Sequence, residues 1–238
     1  MTWKNLGAVM ILAAGLALVR PTFAVVLGQT DTFEDGTTSN WIINASGSGN
    51  PPIGALPVNV ATGGPAGADD NFLQLTSLGG VGSGSRLTVN NLSQWTGDYI
   101  AAGIDAIAMD LRNLGPNDLY LRLLFADPAG GPAANVAFSA TPVLLPAGGD
   151  WVSVLFAIST EDLTAGLGNI NSALTGATEV RLFHSVSDAF PGGEIVASLG
   201  VDNIEARQTT TVPEPATLAL FGLGLAGIGA MRRKKFAA

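Results

Sequence analysis

The chain has 238 residues, of which 47% are hydrophobic and only 13% charged, a composition typical of an all-β domain with many turns. It contains no cysteine, which excludes disulfide bridges, thiolate metal sites and a thiol nucleophile. Most basic residues lie near the two termini, so the segment between them has five arginines against nineteen acidic residues, a net charge of −14. Such a surface repels phosphate backbones and argues against nucleic acid as a partner.

The N-terminus has the pattern of a secretory signal peptide over residues 1–24. Lys4 gives a positive start, residues 6–19 form an apolar run, and Ala24 places a small residue at the expected cleavage point. Pro21 ends the apolar run early, which favours a cleaved leader over a permanent anchor. We therefore predict that the Sec translocon exports the chain and that signal peptidase removes the leader.

The C-terminus combines three parts in a fixed order. Residues 208–215 form a linker that ends in Pro213-Glu214-Pro215, and its prolines keep the chain extended. Residues 216–238 begin with an apolar stretch that reaches roughly 24 Å as a helix, slightly less than a bilayer core, which predicts a transmembrane helix. A basic cluster follows and is expected to stay cytoplasmic by the positive-inside rule. This cluster consists of Arg232, Arg233, Lys234 and Lys235.

This tripartite tail resembles the PEP-CTERM sorting signal, in which the same three parts follow one another. The resemblance implies an exosortase as partner, transient insertion into the inner membrane and cleavage near Pro-Glu-Pro. It also implies delivery to the cell surface or to an exopolysaccharide biofilm matrix. An ordinary C-terminal anchor is the alternative. In both cases these residues are recognised by another protein and form no catalytic site of this chain.

Residues 25–207 have the pattern of a single all-β domain. Short alternating segments recur about every 10–20 residues, with Gly- and Pro-rich turns between them. The clearest of them are residues 106–112, 119–125, 151–158, 179–186 and 201–206. A short helix capped by Thr160 is expected within residues 160–174. The pattern predicts a jelly-roll β-sandwich, flanked by an N-terminal signal helix and a C-terminal transmembrane sorting helix.

The domain opens with Phe33-Glu34-Asp35-Gly36-Thr37 and closes with Asp202-Asn203-Ile204. These segments resemble the first and last strands of carbohydrate-binding jelly rolls of the galactose-binding-like type. In those modules the two strands lie side by side and a structural calcium ion ties them together. The resemblance implies calcium held by Glu34 and Asp202, with Asp35 or Asp31 contributing, and calcium prefers several such oxygen ligands. Solvated turn carboxylates are the alternative.

Aromatic side chains with polar neighbours are candidates for glycan binding, because sugars present apolar ring faces and fixed hydroxyl groups. Trp95 and Tyr99 lie in a loop-like segment, which makes them the better candidates for exposure, and packing inside the domain is the alternative. Trp41 and Trp151 are expected to pack in the core or at its edge. Arg122 lies on the polar face of a predicted strand, so we expect it to line a groove.

Catalytic chemistry has little support in the sequence. His184, the only histidine, lies in a predicted strand, and no HExxH, GxSxG or P-loop pattern occurs. Nineteen acidic residues make some carboxylate pair inevitable, so a glycosidase pair carries no information here. We therefore predict a non-enzymatic, glycan-associated surface or matrix protein. The alternatives are a structural matrix protein without a specific ligand and, ranked lower, a polysaccharide hydrolase or lyase.

Overall fold

The computed structural model describes residues 24–43, 56–80, 85–128 and 132–209. Within these ranges the chain forms two antiparallel sheets that enclose one large hydrophobic core, so the predicted all-β jelly-roll sandwich is confirmed. The predicted signal helix and transmembrane sorting helix lie outside the described residues. No helix within these ranges is long and apolar enough to cross a bilayer.

The strands are short and are numbered in chain order. They are β1 (Thr30–Asp31), β2 (Trp41–Ile42), β3 (Val58–Val60), β4 (Phe72–Leu78), β5 (Thr88–Asn91), β6 (Ala106–Asn113), β7 (Leu119–Asp127), β8 (Asn135–Ser139), β9 (Val143–Leu145), β10 (Val152–Ala157), β11 (Leu163–Leu167), β12 (Glu179–His184) and β13 (Val196–Arg207). Sheet A has six strands in the order β10-β6-β13-β4-β3, with β1 paired to β13. Sheet B has seven, in the order β11-β8-β7-β12-β5-β2, with β9 paired to β7.

The core forms because alternate side chains of each strand point to the same face. In β6 the residues Ile107, Met109 and Leu111 are buried in the core between the sheets, and in β7 Leu121 and Leu123 face them from sheet B. The two-residue period read from the sequence therefore identified these inward faces correctly. The remaining positions lie on the outer faces of the sheets, where the candidate sites occur.

The first and last strands of the domain lie side by side, as the resemblance implied. In the pairing of β1 with β13, Thr30 lies opposite Glu205 and Asp31 lies opposite Ile204. β13 is also hydrogen-bonded to β6 and β4, so the last strand occupies the interior of sheet A. The last strand of the domain is thereby fixed to the centre of the fold.

The short helix expected within residues 160–174 is present at the end of that segment, but the predicted cap is wrong. Residues 163–167 form β11, and the single short helix described, α1 (Ile170–Thr175), is capped by Asn169 rather than Thr160. The side chain of Leu163 enters the core and β11 pairs with β8. Gly168 adopts a positive φ of 61°, so the chain turns between the strand and the helix. Sheet pairing overrides the local helix signal.

Candidate functional site

The three residues expected to contact a glycan are buried. Trp95 and Tyr99 are 0% exposed and Arg122 is 2% exposed. The Trp95 indole donates to Asp31 Oδ2 at 2.7 Å, and the Tyr99 hydroxyl donates to the Trp95 carbonyl at 2.7 Å. A side chain without solvent access cannot stack on a sugar ring, so this prediction is wrong for all three residues. Burial raises the pKa of Tyr99 well above its usual value.

Asp31 is an acceptor inside the core. Its Oδ2 accepts hydrogen bonds from Trp41 Nε1 at 2.8 Å, from Trp95 Nε1 at 2.7 Å and from Gln94 Nε2 at 3.2 Å. Burial raises the pKa of Asp31, and these donors offset only part of that effect. Asp31 lies opposite Ile204, whose side chain points into the core. The expectation that Asp31 contributes to a calcium site is therefore wrong, because its carboxylate lies on the inner face.

Asp35 lies in an exposed turn. Its Oδ1 accepts hydrogen bonds from the backbone N–H and the hydroxyl group of Thr37, both at 2.9 Å. These bonds lower the pKa of Asp35, the backbone bond most strongly. This arrangement corresponds to the turn-carboxylate alternative, and the hydrogen bonds of Asp35 within the described residues are all made inside the turn.

Asp202 is the most unusual acidic residue of the domain. It is 0% exposed, and its Oδ1 accepts from the Asn203 N–H at 2.7 Å. Its Oδ2 is buried with no hydrogen-bond partner among the described residues. Burial raises the pKa of Asp202 to about 7, and repulsion from Asp70, Asp110 and Glu34 acts in the same direction. A buried, unsatisfied carboxylate oxygen among other acids favours a cation.

The neighbouring acids come from separate parts of the chain. Glu34 Oε1 accepts from the Asn71 N–H at 3.0 Å, which fixes the opening of the domain against the start of β4. Asp110 lies opposite Asp202 on β6. The structure thus brings Glu34 and Asp202 into one neighbourhood, as the resemblance implied, and adds Asp70 and Asp110. Within the described ranges, no three Asp, Glu or His side chains lie close enough to enclose a metal ion by themselves.

His184 is a packed residue of sheet B. It is 4% exposed, and its Nδ1 accepts a hydrogen bond from the Tyr120 N–H at 3.0 Å. Burial lowers the pKa of His184, so the ring is neutral at physiological pH. An imidazole in this position does not reach solvent as a general base would need to.

The outer face of sheet B has a second hydrophobic cluster. Leu124, Ala126, Phe138 and Phe183 are buried there. The chain after β12 folds back over this face, and we call residues 185–193 the strap. Within the strap, Phe190 packs edge-on against Phe183, with ring centroids 5.6 Å apart.

Arg122 holds the strap in place. Its Nε donates to the Ser185 carbonyl at 3.2 Å, and its Nη1 lies 3.3 Å from Asp188 Oδ1. A second arginine, Arg181, lies over the Phe190 ring at 4.7 Å from the centroid. Two arginines therefore fix the strap: Arg122 through Ser185 and Asp188, and Arg181 through the ring of Phe190.

A groove of about 500 Å³ opens between the strap and β11. Phe190 lines this groove and is 38% exposed. Thr164 and Asp188 also line it, and the Thr164 hydroxyl donates to Asp188 Oδ2 at 3.1 Å. An exposed aromatic ring beside hydroxyl and carboxylate groups is an arrangement that can contact a sugar. Sequence reasoning missed Phe190, because its Pro- and Gly-rich surroundings indicate only a loop.

A second groove, of about 480 Å³, lies on the outer face of sheet A between β10, β6 and β13. Its described lining is polar at Asp110, Ser153, Asn203, Glu205 and Arg207 and includes no aromatic ring. The polar groups bind one another: Asn203 Nδ2 donates to Asp110 at 2.8 Å and Arg207 Nε donates to Glu205 at 2.8 Å. This groove has apolar side chains such as Leu155 but, among its described lining residues, no aromatic platform like that of the groove on sheet B.

Trp41 and Trp151 pack as predicted. Trp41 is 1% exposed, within the core. Trp151 lies half-buried at the edge of sheet A, 5.3 Å from Phe72 between ring centroids, and its Nε1 donates to the Gly63 carbonyl at 3.0 Å. A Cβ at Gly200 would lie 2.7 Å from the indole, so glycine is needed for this contact.

The tail matches the PEP-CTERM protein-sorting motif over residues 211–234. This motif marks an exported protein that is held at a membrane for sorting before exosortase processing. The chain is therefore an exported jelly-roll β-sandwich with an exosortase sorting tail. No curated protein matches the chain.

Several solved structures are similar to the domain. An exo-beta-agarase matches with a TM-score of 0.51 and 14% identity over 79% of this chain. A family 11 carbohydrate-binding module from Clostridium thermocellum, in complex with a beta-1,3-1,4-mixed-linked tetrasaccharide, has a TM-score of 0.48 and 12% identity, over 77% of this chain and 97% of that one. A non-crystalline cellulose specific module, CBM28, has a TM-score of 0.45 and 14% identity, over 79% and 99%. This chain spans 25% of the agarase chain, and at 14% identity the likeness shows the fold alone.

Proposed function

We propose that the domain binds a polysaccharide in the groove between the strap and β11 and so holds the sorted protein at the cell surface or in the extracellular matrix. The exposed ring of Phe190 beside Thr164 and Asp188 carries this proposal. An aromatic ring open to solvent offers the apolar contact that a sugar face needs, and the flanking oxygens accept hydrogen bonds from the hydroxyl groups of the sugar. The acidic surface of the domain favours a polysaccharide without negative charges.

We propose no catalytic step. Asp202 has the raised pKa of a general acid, but its carboxyl group is fully buried and does not reach a glycosidic oxygen. The acid that does face the groove, Asp188, is engaged by Arg122 and Thr164. These positions support a binding module rather than a hydrolase or lyase.

The test is retardation of the purified, processed protein in native gels that contain exopolysaccharide from its host. Phe190→Ala is expected to weaken retardation about tenfold, since the variant loses the stacking surface. Leu155→Ala is the matched control, because Leu155 is 46% exposed on the outer face of sheet A. Loss of polysaccharide binding in Leu155→Ala but not in Phe190→Ala would assign the binding site to sheet A. A wild-type protein that no polysaccharide retards would favour a structural matrix protein without a ligand.

We also propose that calcium binds beside Asp202 and stabilises the fold. The residues present fit this ion, because the buried Asp202 Oδ2 has no partner among the described residues and Glu34, Asp70 and Asp110 repel it. Calcium supplies two positive charges there and accepts carbonyl oxygens and water as further ligands. Asp202 and Glu34 would hold it, and carbonyl oxygens and water would complete its coordination, without the Asp31 and Asp35 expected from the sequence.

Calcium at a concentration of about 100 times its Kd is expected to raise the melting temperature by about 5–10 °C relative to chelator. Asp202→Asn should abolish most of this increase, since it removes the buried negative charge. Glu161→Gln, a substitution at an exposed acid, should keep it. An equal melting temperature with calcium and with chelator would rule the ion out.

A further inference from the structure

Both ends of the domain are bound by one segment of the chain. The Val25 N–H donates to the Thr96 carbonyl at 2.8 Å, and the Asp105 N–H donates to the Arg207 carbonyl at 3.0 Å. Residues 96–105 therefore link the start of the domain to the end of β13. We call the surface formed by residues 24–28, 96–105 and 207–209 the exit face, because both termini leave the sandwich there.

The chain remains fixed beyond the last strand. The N–H and the hydroxyl group of Thr209 both donate to Asp105 Oδ1, at 2.6 and 3.0 Å. Pro213 of the sorting motif follows four residues after Thr209. Four residues of fully extended chain span about 14 Å at most. The sorting motif therefore begins within about 14 Å of the exit face.

This distance is small compared with the dimensions of any enzyme that binds the motif. Even a 100-residue domain has a radius of gyration of about 13 Å. A protease bound at Pro213-Glu214-Pro215 therefore touches the exit face, as long as Thr209 stays bound to Asp105. We propose that the exit face is a docking surface for the exosortase and that Ile100 is its main apolar contact.

The chemistry of the exit face favours a protein surface as the occupant. Ile100 is 49% exposed and is followed by the small residues Ala101, Ala102 and Gly103. The nearby acid Asp98 is engaged, since its Oδ1 accepts from the Ala101 N–H at 2.8 Å. Beside Ile100 a pocket of about 240 Å³ has both apolar lining residues, such as Ile158 and Leu174, and polar ones, such as Gln208, and its size suits one side chain of a partner.

A lipid surface fits this face less well. Residues 96–105 contain no lysine or arginine, and the described part of the chain has eighteen acids against five arginines. Anionic lipid headgroups attract polybasic segments and repel such a domain. The exosortase is therefore the occupant that the charge and the short tether both support.

The test uses the full chain in cells that contain its exosortase, with precursor and processed forms followed by pulse-chase. Ile100→Glu is expected to slow processing at least fivefold, because a charge replaces the apolar contact. Leu144→Glu is the control: Leu144 is 52% exposed and lies on β9 beside Tyr120, at the start of β7, away from the exit face. It should be processed at the wild-type rate.

Tether length gives the decisive second arm. A twelve-residue Gly-Ser insertion after Thr210, which leaves the matched motif at residues 211–234 unchanged, should restore processing of the Ile100→Glu protein, because the motif then reaches the protease without contact. A wild-type rate for Ile100→Glu would overturn the proposal, as would a slow Ile100→Glu protein that the insertion does not restore.

Two further readouts distinguish exosortase docking from glycan binding and from membrane contact. Gel retardation by polysaccharide should be unchanged in Ile100→Glu, so loss of docking and loss of glycan binding are seen independently. Flotation of the purified, processed protein with vesicles containing about 30% phosphatidylglycerol tests whether a lipid surface binds the exit face. Binding that Ile100→Glu abolishes would assign the face to the membrane and overturn the exosortase contact.

Discussion

At the scale of single residues, Asp31 connects two parts of the core that are distant in sequence. Its carboxylate accepts from the indoles of Trp41 and Trp95, and Trp95 lies 64 residues further along the chain. The two rings pack at 6.3 Å between centroids. Because both N–H groups are buried, they depend on this one side chain for an acceptor.

Asp31→Leu is expected to lower the free energy of unfolding by roughly 2–6 kcal/mol, since two buried donors each lose a partner. Urea unfolding followed by tryptophan fluorescence measures the change. Asp35→Asn, in the exposed turn nearby, should leave it close to the wild-type value. Equal midpoints for Asp31→Leu and wild type would mean that the indole hydrogen bonds do not stabilise the fold.

Asp202 predicts a pH dependence with a defined sign. Its pKa is about 7 in the folded state and 3.8 in the unfolded state, so the folded protein holds the proton more tightly. The contribution of protonated Asp202 to the free energy of unfolding is complete below pH 3.8. It is lost as the pH rises to about 7, by at most about 1.4 kcal/mol per pH unit.

In chelator, the wild-type protein should therefore lose stability between pH 4 and 7 relative to Asp202→Asn. Thermal unfolding of both proteins across this range measures the difference in stability between them. Because both proteins contain the same other acids, the titration of those acids cancels in this difference. A difference that does not change with pH would contradict the raised pKa.

At the scale of elements, the strap depends on Arg122. Besides its bonds to Ser185 and Asp188, its Nη1 donates to the Ala140 carbonyl at 2.7 Å and to Ser139. The guanidinium group therefore ties β7 to the strap and to the turn after β8. Burial lowers the pKa of Arg122 and Asp188 partly offsets this effect.

Arg122→Met is expected to lower the free energy of unfolding by about 2–5 kcal/mol, because buried carbonyl groups lose their donor. The strap should also become a site of proteolysis, which limited digestion and mass spectrometry would locate within residues 185–193. Arg112→Met is the control, since Arg112 Nε makes a single bond, to the Gly149 carbonyl at 3.3 Å. Cleavage elsewhere first would contradict this role of Arg122.

The sequence predicted the strands well because burial on one face leaves a two-residue period. Residues 106–112 show this period, and the strand found there is β6 (Ala106–Asn113). The pairing of the first and last strands was predicted from short motifs. Both predictions depend on local patterns, and local patterns determine which face of a strand is apolar.

The candidate sites were less predictable, because exposure depends on distant parts of the chain. Trp95 has polar neighbours that indicate a loop, but Asp31 binds its indole inside the core. Arg122 occupies a polar position of β7, and the strap then covers it. Phe190 is exposed only because Phe183 and Arg181 hold it in place. None of these contacts has a signal in the nearby sequence.

At the scale of the whole molecule, the groove and the exit face lie on different surfaces. The groove is formed by β8, β11 and the strap on sheet B, and the exit face is formed around Asp105 at the start of β6. A polysaccharide can thus occupy the groove without blocking the sorting motif. Binding and processing need not occur in a fixed order.

The interior position of β13 has a mechanical consequence. A pull on the tail is transmitted through Arg207 into a strand of twelve residues that is hydrogen-bonded on both sides. Tension along its axis loads those bonds in shear, many at once, instead of opening them one after another from a free edge. The domain therefore resists unfolding by a force applied at its C-terminal end.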